Sequence, residues 1–283
     1  MFRVVPACIA RHKIPDIPVF ALPRQPTMLN HILSVARYTL LEALRNRMLM
    51  LALILVAAGL AFTQFLQQVA ITESVQIQTA LLAAVVRFGA VFMLASFVIT
   101  SMVREFNDKV MELVLSRPIR RASYYFGKLA GFACVAIALA VICSLALALF
   151  APAERVALWG LSLGCELLLV TAIALFCVLS LTQVISALAA VTGFYLLARS
   201  ISALQVMAAT PLTDNLGIGQ RGINFVIDAI AFLMPGMDRM TQTAWLVYAG
   251  PATTEVMQFL GQTAAYMLLL CGASLFDLQR KSF

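Results

Sequence analysis

The sequence predicts an all-α integral membrane protein with six transmembrane helices. Hydrophobic residues make up 62% of the chain and charged residues only 12%, against about 25% charged in a soluble domain. Six apolar runs are long enough, at about 18 residues or more, to cross roughly 30 Å of hydrocarbon. They lie at 48–66, 80–102, 129–150, 156–179, 184–206 and 256–276. One long charged island, Met102 to Lys128, separates the second run from the third. The short alternating segments of a membrane β-barrel do not occur in this pattern.

Taken in order, residues 1–27 carry Pro6, Pro15, Pro18, Pro23 and Pro26 without the apolar core of a signal peptide. They read as a disordered tail, or as sequence upstream of a true start at Met28. The membrane domain then covers 28–283. Its first stretch is amphipathic, with Ile32, Val35, Leu40, Leu41 and Leu44 beside Arg37, Arg45 and Arg47. That composition predicts an interfacial helix leading into the first span.

The charged island predicts an amphipathic helix on the membrane surface. Phe106, Val110, Leu113 and Val114 fall on one face, and Glu105, Asp108, Lys109 and Glu112 on the other. Pro118 ends it, because proline lacks an amide hydrogen and restricts the residue before it. Arg120 and Arg121, the aromatic run Tyr124, Tyr125 and Phe126, and Gly127-Lys128 then lead into the third span. Such a helix either lies on anionic lipid or docks on a protein. Its acidic residues weaken the lipid reading and favour a protein partner.

Charge distribution orients the chain. With both termini in the cytoplasm, inside segments hold fifteen Lys and Arg and outside segments three, a strong positive-inside asymmetry. The net charge of +7 is accounted for in this way and gives no reason to invoke nucleic acid. The outer segment from about 207 to 255 contains Ile223 to Met234, apolar but too short to span. It predicts an interfacial or re-entrant helix, broken at Pro235-Gly236, with Trp245 and Tyr248 suited to an aromatic belt.

Three ionisable residues, Arg87, Glu166 and Arg199, fall inside spans. Charges there are costly enough that they usually have partners or functions. All three lie in the outer half of their spans. Either Glu166 pairs with one arginine and leaves the other facing a cavity, or both arginines snorkel outward and Glu166 bonds a neighbouring helix. Met234, Met237 and Met240 repeat every third residue. Thioethers suit Cu(I), but apolar packing is the favoured reading for these methionines. The six cysteines show no C-x-x-C pairing and no association with His12 or His31, so they read as small apolar side chains.

With this topology in place, the loop resembles the cytoplasmic loop of bacterial ABC transporter permeases of the type-2, exporter-like family. The matching residues are Glu105, Glu112, Leu113, Leu115, Ser116, Arg117, Pro118, Arg121, Gly127 and Lys128. Met234 to Met240, MPGMDRM, is similar to a stretch of the subgroup linked to multicopper enzyme maturation, and Phe276 to Phe283 to its short basic ending. The resemblance implies a permease in the bacterial cytoplasmic (inner) membrane, exporting a substrate, with a second permease chain as homodimer or heterodimer partner. It also implies a separate ATPase subunit that binds ATP and Mg²⁺, while this chain binds no cofactor. The absence of a G-x-x-x-x-G-K-[ST] motif from the sequence fits that division. The loop would be a coupling helix, with Arg104, Glu105, Lys109, Glu112, Leu113, Pro118 and Arg121 contacting the ATPase. Membrane lipid is the other expected partner.

Two other classes compete with this reading. An integral membrane enzyme acting on lipids would need clustered polar or acidic groups near the membrane surface, or an H-E-x-x-H helix for a metalloprotease. His12 and His31 are the only histidines and no such motif occurs. An ion-coupled carrier often has spans interrupted by glycine and proline, and these runs are largely continuous.

Overall fold

The computed structural model describes residues 28–67, 74–108, 121–209, 218–247, 250 and 253–280. Every regular element among them is an α-helix: α1 Met28–Arg45, α2 Met48–Gln67, α3 Ser74–Asn107, α4 Arg121–Leu147, α5 Ala153–Leu181, α6 Val184–Ala209, α7 Ile218–Leu233, α8 Ala244–Val247 and α9 Thr253–Arg280. Five of them, α3, α4, α5, α6 and α9, are long and apolar enough to cross a membrane. The chain is a multi-pass membrane protein by that measure. A sixth crossing is reached if α1 and α2, bent by 51° at their junction, form one span together. The expected tail at 1–27 lies outside the described residues.

The α1–α2 pair departs from the sequence reading in an instructive way. α1 is not a detached surface helix; it lies along the first half of α4. Cβ atoms added at Gly127 and Gly131 would come within 2.7 Å of Val35 and 2.6 Å of Thr39, and within 3.1 and 3.0 Å of the Ile32 and Ala36 carbonyls. Each step of four residues on α4 is matched by four on α1, so the two helices run in the same direction. Small residues at this spacing let backbones approach closely in a membrane. Arg47, with φ 55°, marks the bend. α2 then runs antiparallel to α3, with Leu55 against Gly89 and Gly59 against Leu82 and Val86.

α5 is the central helix. Of its most apolar 18 residues, 78% are buried, compared with 28% in α6 and 17% in α9. Trp159, Leu163, Leu167, Leu169 and Leu175 are fully buried. Leu145, Leu149, Ile185 and Leu268 point outward and are exposed, as lipid-facing side chains should be. Trp245 is a correction: instead of sitting in an outer belt it is buried, its ring 6.2 Å from Phe259. Tyr248 lies outside the described residues.

α3 runs five residues beyond the span expected to end at 102, and α4 begins at Arg121. Arg104, Glu105 and Phe106 therefore belong to the end of α3, not to a separate surface helix. The expected coupling helix, with Lys109, Glu112, Leu113 and Pro118, falls at 109–120, outside the described residues.

Candidate functional site

Two charged nodes stand at different depths of the bundle. The first joins the facing ends of α3 and α4. Lys128 is almost fully buried and bonds Glu105 Oε1, while Tyr124 donates its hydroxyl to Glu105 Oε2. Glu42 on α1 comes within 3.8 Å of the same lysine and accepts from Ser101 on α3 at 2.8 Å. Two carboxylates thus flank one ammonium, which also lies 5.5 Å from the centre of the Phe132 ring. Arg121 extends the node to α9 by donating to the Leu278 carbonyl at 3.0 Å. Ser180 on α5 donates to Asp277 on α9 at 3.1 Å, at the same end of the bundle.

Helical spacing explains the assembly. Tyr124 and Lys128 are four residues apart on α4, as are Ser101 and Glu105 on α3, so each pair shares a face. Glu42 follows Val35 and Thr39 along the face of α1 that packs on the α4 glycines. Glu105 is thereby turned into the bundle with its side chain 18% exposed. It bonds Tyr124 and Lys128 across helices, contacts that the loop pattern did not suggest. Arg121 likewise engages α9. Arg104 and Asp108 are exposed.

The second node collects all three span charges. Glu166 is fully buried; Arg199 approaches its Oε1 at 3.4 Å and Tyr195 donates to the same oxygen at 2.7 Å. Arg199 also donates to the carbonyls of Met237 at 2.7 Å, Met240 at 3.0 Å and Thr241 at 3.4 Å. Arg87 donates to the Thr241 carbonyl at 2.5 Å and lies 5.0 Å from the Phe88 ring. Ser162 accepts the Thr241 amide at 2.7 Å. Thr241, at φ 49°, is held in a left-handed conformation by these bonds.

The node solves a backbone problem. Met237, Met240 and Thr241 are fully buried, yet their segment is not helical; the Met237 carbonyl accepts a turn bond from the Met240 amide at 3.3 Å. A buried backbone carbonyl needs a partner within the protein. Two guanidinium groups serve as partners here, and Glu166 balances one of them. Among the described residues Arg87 Nε and Glu166 Oε2 are buried without hydrogen-bond partners, so the node retains unused polar capacity.

Sequence reasoning found the three charges but missed Tyr195, Ser162 and Thr241. A signal was present: Tyr195 and Arg199, like Ser162 and Glu166, are i, i+4 pairs. The methionines contribute their carbonyls; Met237 and Met240 side chains are sealed in the core and Met234 packs against it. Among the described residues no group of three His, Cys, Asp or Glu is arranged to hold a metal. Cys134, Cys143, Cys165, Cys177 and Cys271 are free thiols.

Compared with known protein families and with curated proteins, the sequence matches none.

Proposed function

We propose that this chain is the membrane-spanning subunit of an ABC-type exporter. It would cross the membrane six times, with α1 and α2 sharing the first crossing, and carry the re-entrant outer segment on α7 and residues 234–243. The Lys128 node is the observation that supports this most directly. The charged segment at 109–120 leaves α3 and enters α4 where Glu105, Tyr124 and Lys128 tie those helices together. Glu42 and Arg121 extend the tie to α1 and α9. A displacement imposed on that segment by an ATPase partner would pass into four helices as a unit and could not dissipate at two loose ends. Rigid elements with discrete arrangements carry such motion.

The test is purification of the tagged protein from its native membrane in mild detergent, with mass spectrometry of what accompanies it. An ATPase subunit is expected with the wild type and not with Lys109→Glu/Glu112→Lys. The double variant keeps Glu105 and Lys128 and should remain monodisperse. Reproducible purification without an ATPase would overturn the proposal in favour of a carrier or a stand-alone membrane enzyme.

A further inference from the structure

A cavity of about 280 Å³ lies between α6, the C-terminal end of α7, the 234–239 segment and α9. It differs in chemistry from the larger cavity of about 550 Å³ between α4 and α5, whose lining is Ala, Gly, Val, Leu and Ile apart from Ser144 and Cys165. Ser202 and Gln205 enter from α6, Asp238 and Arg239 from the connecting segment, and Gln262 and Tyr266 from α9. Six polar side chains from three parts of the chain therefore converge on one hollow in an otherwise apolar protein.

Asp238 and Arg239 are adjacent in sequence and both line the hollow, yet among the described residues neither forms an ion pair. Gln205 uses its amide nitrogen on Asp228 at 3.2 Å, and Tyr266 donates weakly to the Leu233 carbonyl at 3.4 Å. The Gln205 carbonyl, the Gln262 amide and the Ser202 hydroxyl remain as donors and acceptors. One carboxylate and one guanidinium, not neutralised by each other and flanked by amides, form a complementary pair for a group bearing both charges. Phe232, which lines the cavity and is exposed, offers an apolar margin.

We propose that this cavity binds a zwitterionic group, an ammonium beside a phosphate or carboxylate. Asp238 takes the cation, Arg239 the anion, and Gln262 and Ser202 the remaining hydrogen bonds. Phosphoethanolamine is such a group, whether as a phospholipid head or as a free solute. The inference does not rest on the transporter reading, because binding is measured on the isolated chain.

The purified full chain is placed in phosphatidylglycerol nanodiscs for two measurements. Native mass spectrometry follows retention of doped phosphatidylethanolamine, and thermal melting follows stabilisation by soluble glycerophosphoethanolamine. Wild type should retain the zwitterionic lipid in preference to phosphatidylglycerol, or be stabilised by the soluble head group. The first result identifies the lipid source and the second the free solute. Asp238→Asn/Arg239→Gln should weaken either response by about a hundredfold or more, the loss of two charge-assisted bonds. Gln262→Leu, which removes the amide's hydrogen bonds and changes no charge, should weaken the response several-fold in a chain with wild-type melting. Absence of both responses in wild type, equal retention of phosphatidylglycerol, or undiminished binding by both variants would overturn the proposal.

Discussion

At the residue scale, Lys128 occupies the least replaceable position. Among the described residues it is the one cation between Glu42 and Glu105, at 3.8 Å from the first and directly bonded to the second. Lys128→Met would leave both carboxylates without a counter-charge. Breaking a buried pair from one side costs about 3–5 kcal/mol; partial exposure of both acids places this variant near 3 kcal/mol. Glu105→Gln keeps Glu42 as a counter-ion and should cost less, and Glu42→Gln least. Melting temperatures in detergent should rank in that order, and a Lys128→Met protein as stable as wild type would contradict the geometry. The charges were plain in the sequence, but their partners were not. Glu105 looked like a solvent-facing acid because its neighbours Asp108, Lys109 and Glu112 are charged, and nothing local shows that Lys128 lies across from it. Arg199 shows the same gap: its acceptors are mostly carbonyls of a segment 38 to 42 residues away, and backbone carbonyls leave no mark in a sequence.

At the scale of elements, two glycine pairs with the same G-x-x-x-G spacing play different parts. Gly127 and Gly131 set the distance between α4 and α1, and an added methyl at either meets a backbone carbonyl as well as a side chain. Backbone cannot rotate away, so Gly131→Ala must push α1 off α4 or strain the contact, at about 1–3 kcal/mol. On α5 the two glycines differ: a Cβ at Gly160 would collide with Ser144 Oγ, whereas Gly164 is less constrained. A Cβ at Gly164 would meet only Ala140, at an ordinary 3.9 Å, and alanine is the better helix former. Gly164→Ala is therefore expected to melt at or above the wild-type temperature and Gly131→Ala clearly below it. Equal effects would show that α1 is not seated on α4 as described. Helix existence was legible throughout, because long apolar runs admit little else. The seating of α1 was not: its basic residues and modest length matched a surface helix, and the glycine groove that captures it lies some ninety residues further on.

At the scale of the whole molecule, the Lys128 node and the Arg155 contact mark opposite ends of the bundle and fix the route of the chain between them. Arg121 and Leu278 meet at the Lys128 end, whereas Arg155 reaches the Leu246 carbonyl at the opposite end. α3 and α4 must therefore cross in opposite directions, and α9 must finish where α4 begins. The first crossing is the part that composition alone leaves ambiguous, because α1 and α2 pass as a span only when taken together as a bent pair. α1 follows α4 inward from Val35 to Thr39, and α2 continues beside α3 from Leu55 to Gly59. If the bent pair is one crossing, Asn30 and Gln76 lie on opposite sides of the membrane. Single cysteines at these exposed positions, in a cysteine-free background, should react differently with a membrane-impermeant maleimide. Asn30→Cys is expected to label from the same side as Asp108→Cys, and Gln76→Cys from the same side as Glu154→Cys. On the positive-inside expectation the Asn30 side would be the cytoplasmic one. Labelling of Asn30→Cys and Gln76→Cys from one side would reduce the bundle to five crossings. The two termini would then lie on opposite faces, and the charged segment at 109–120 would no longer share a compartment with both.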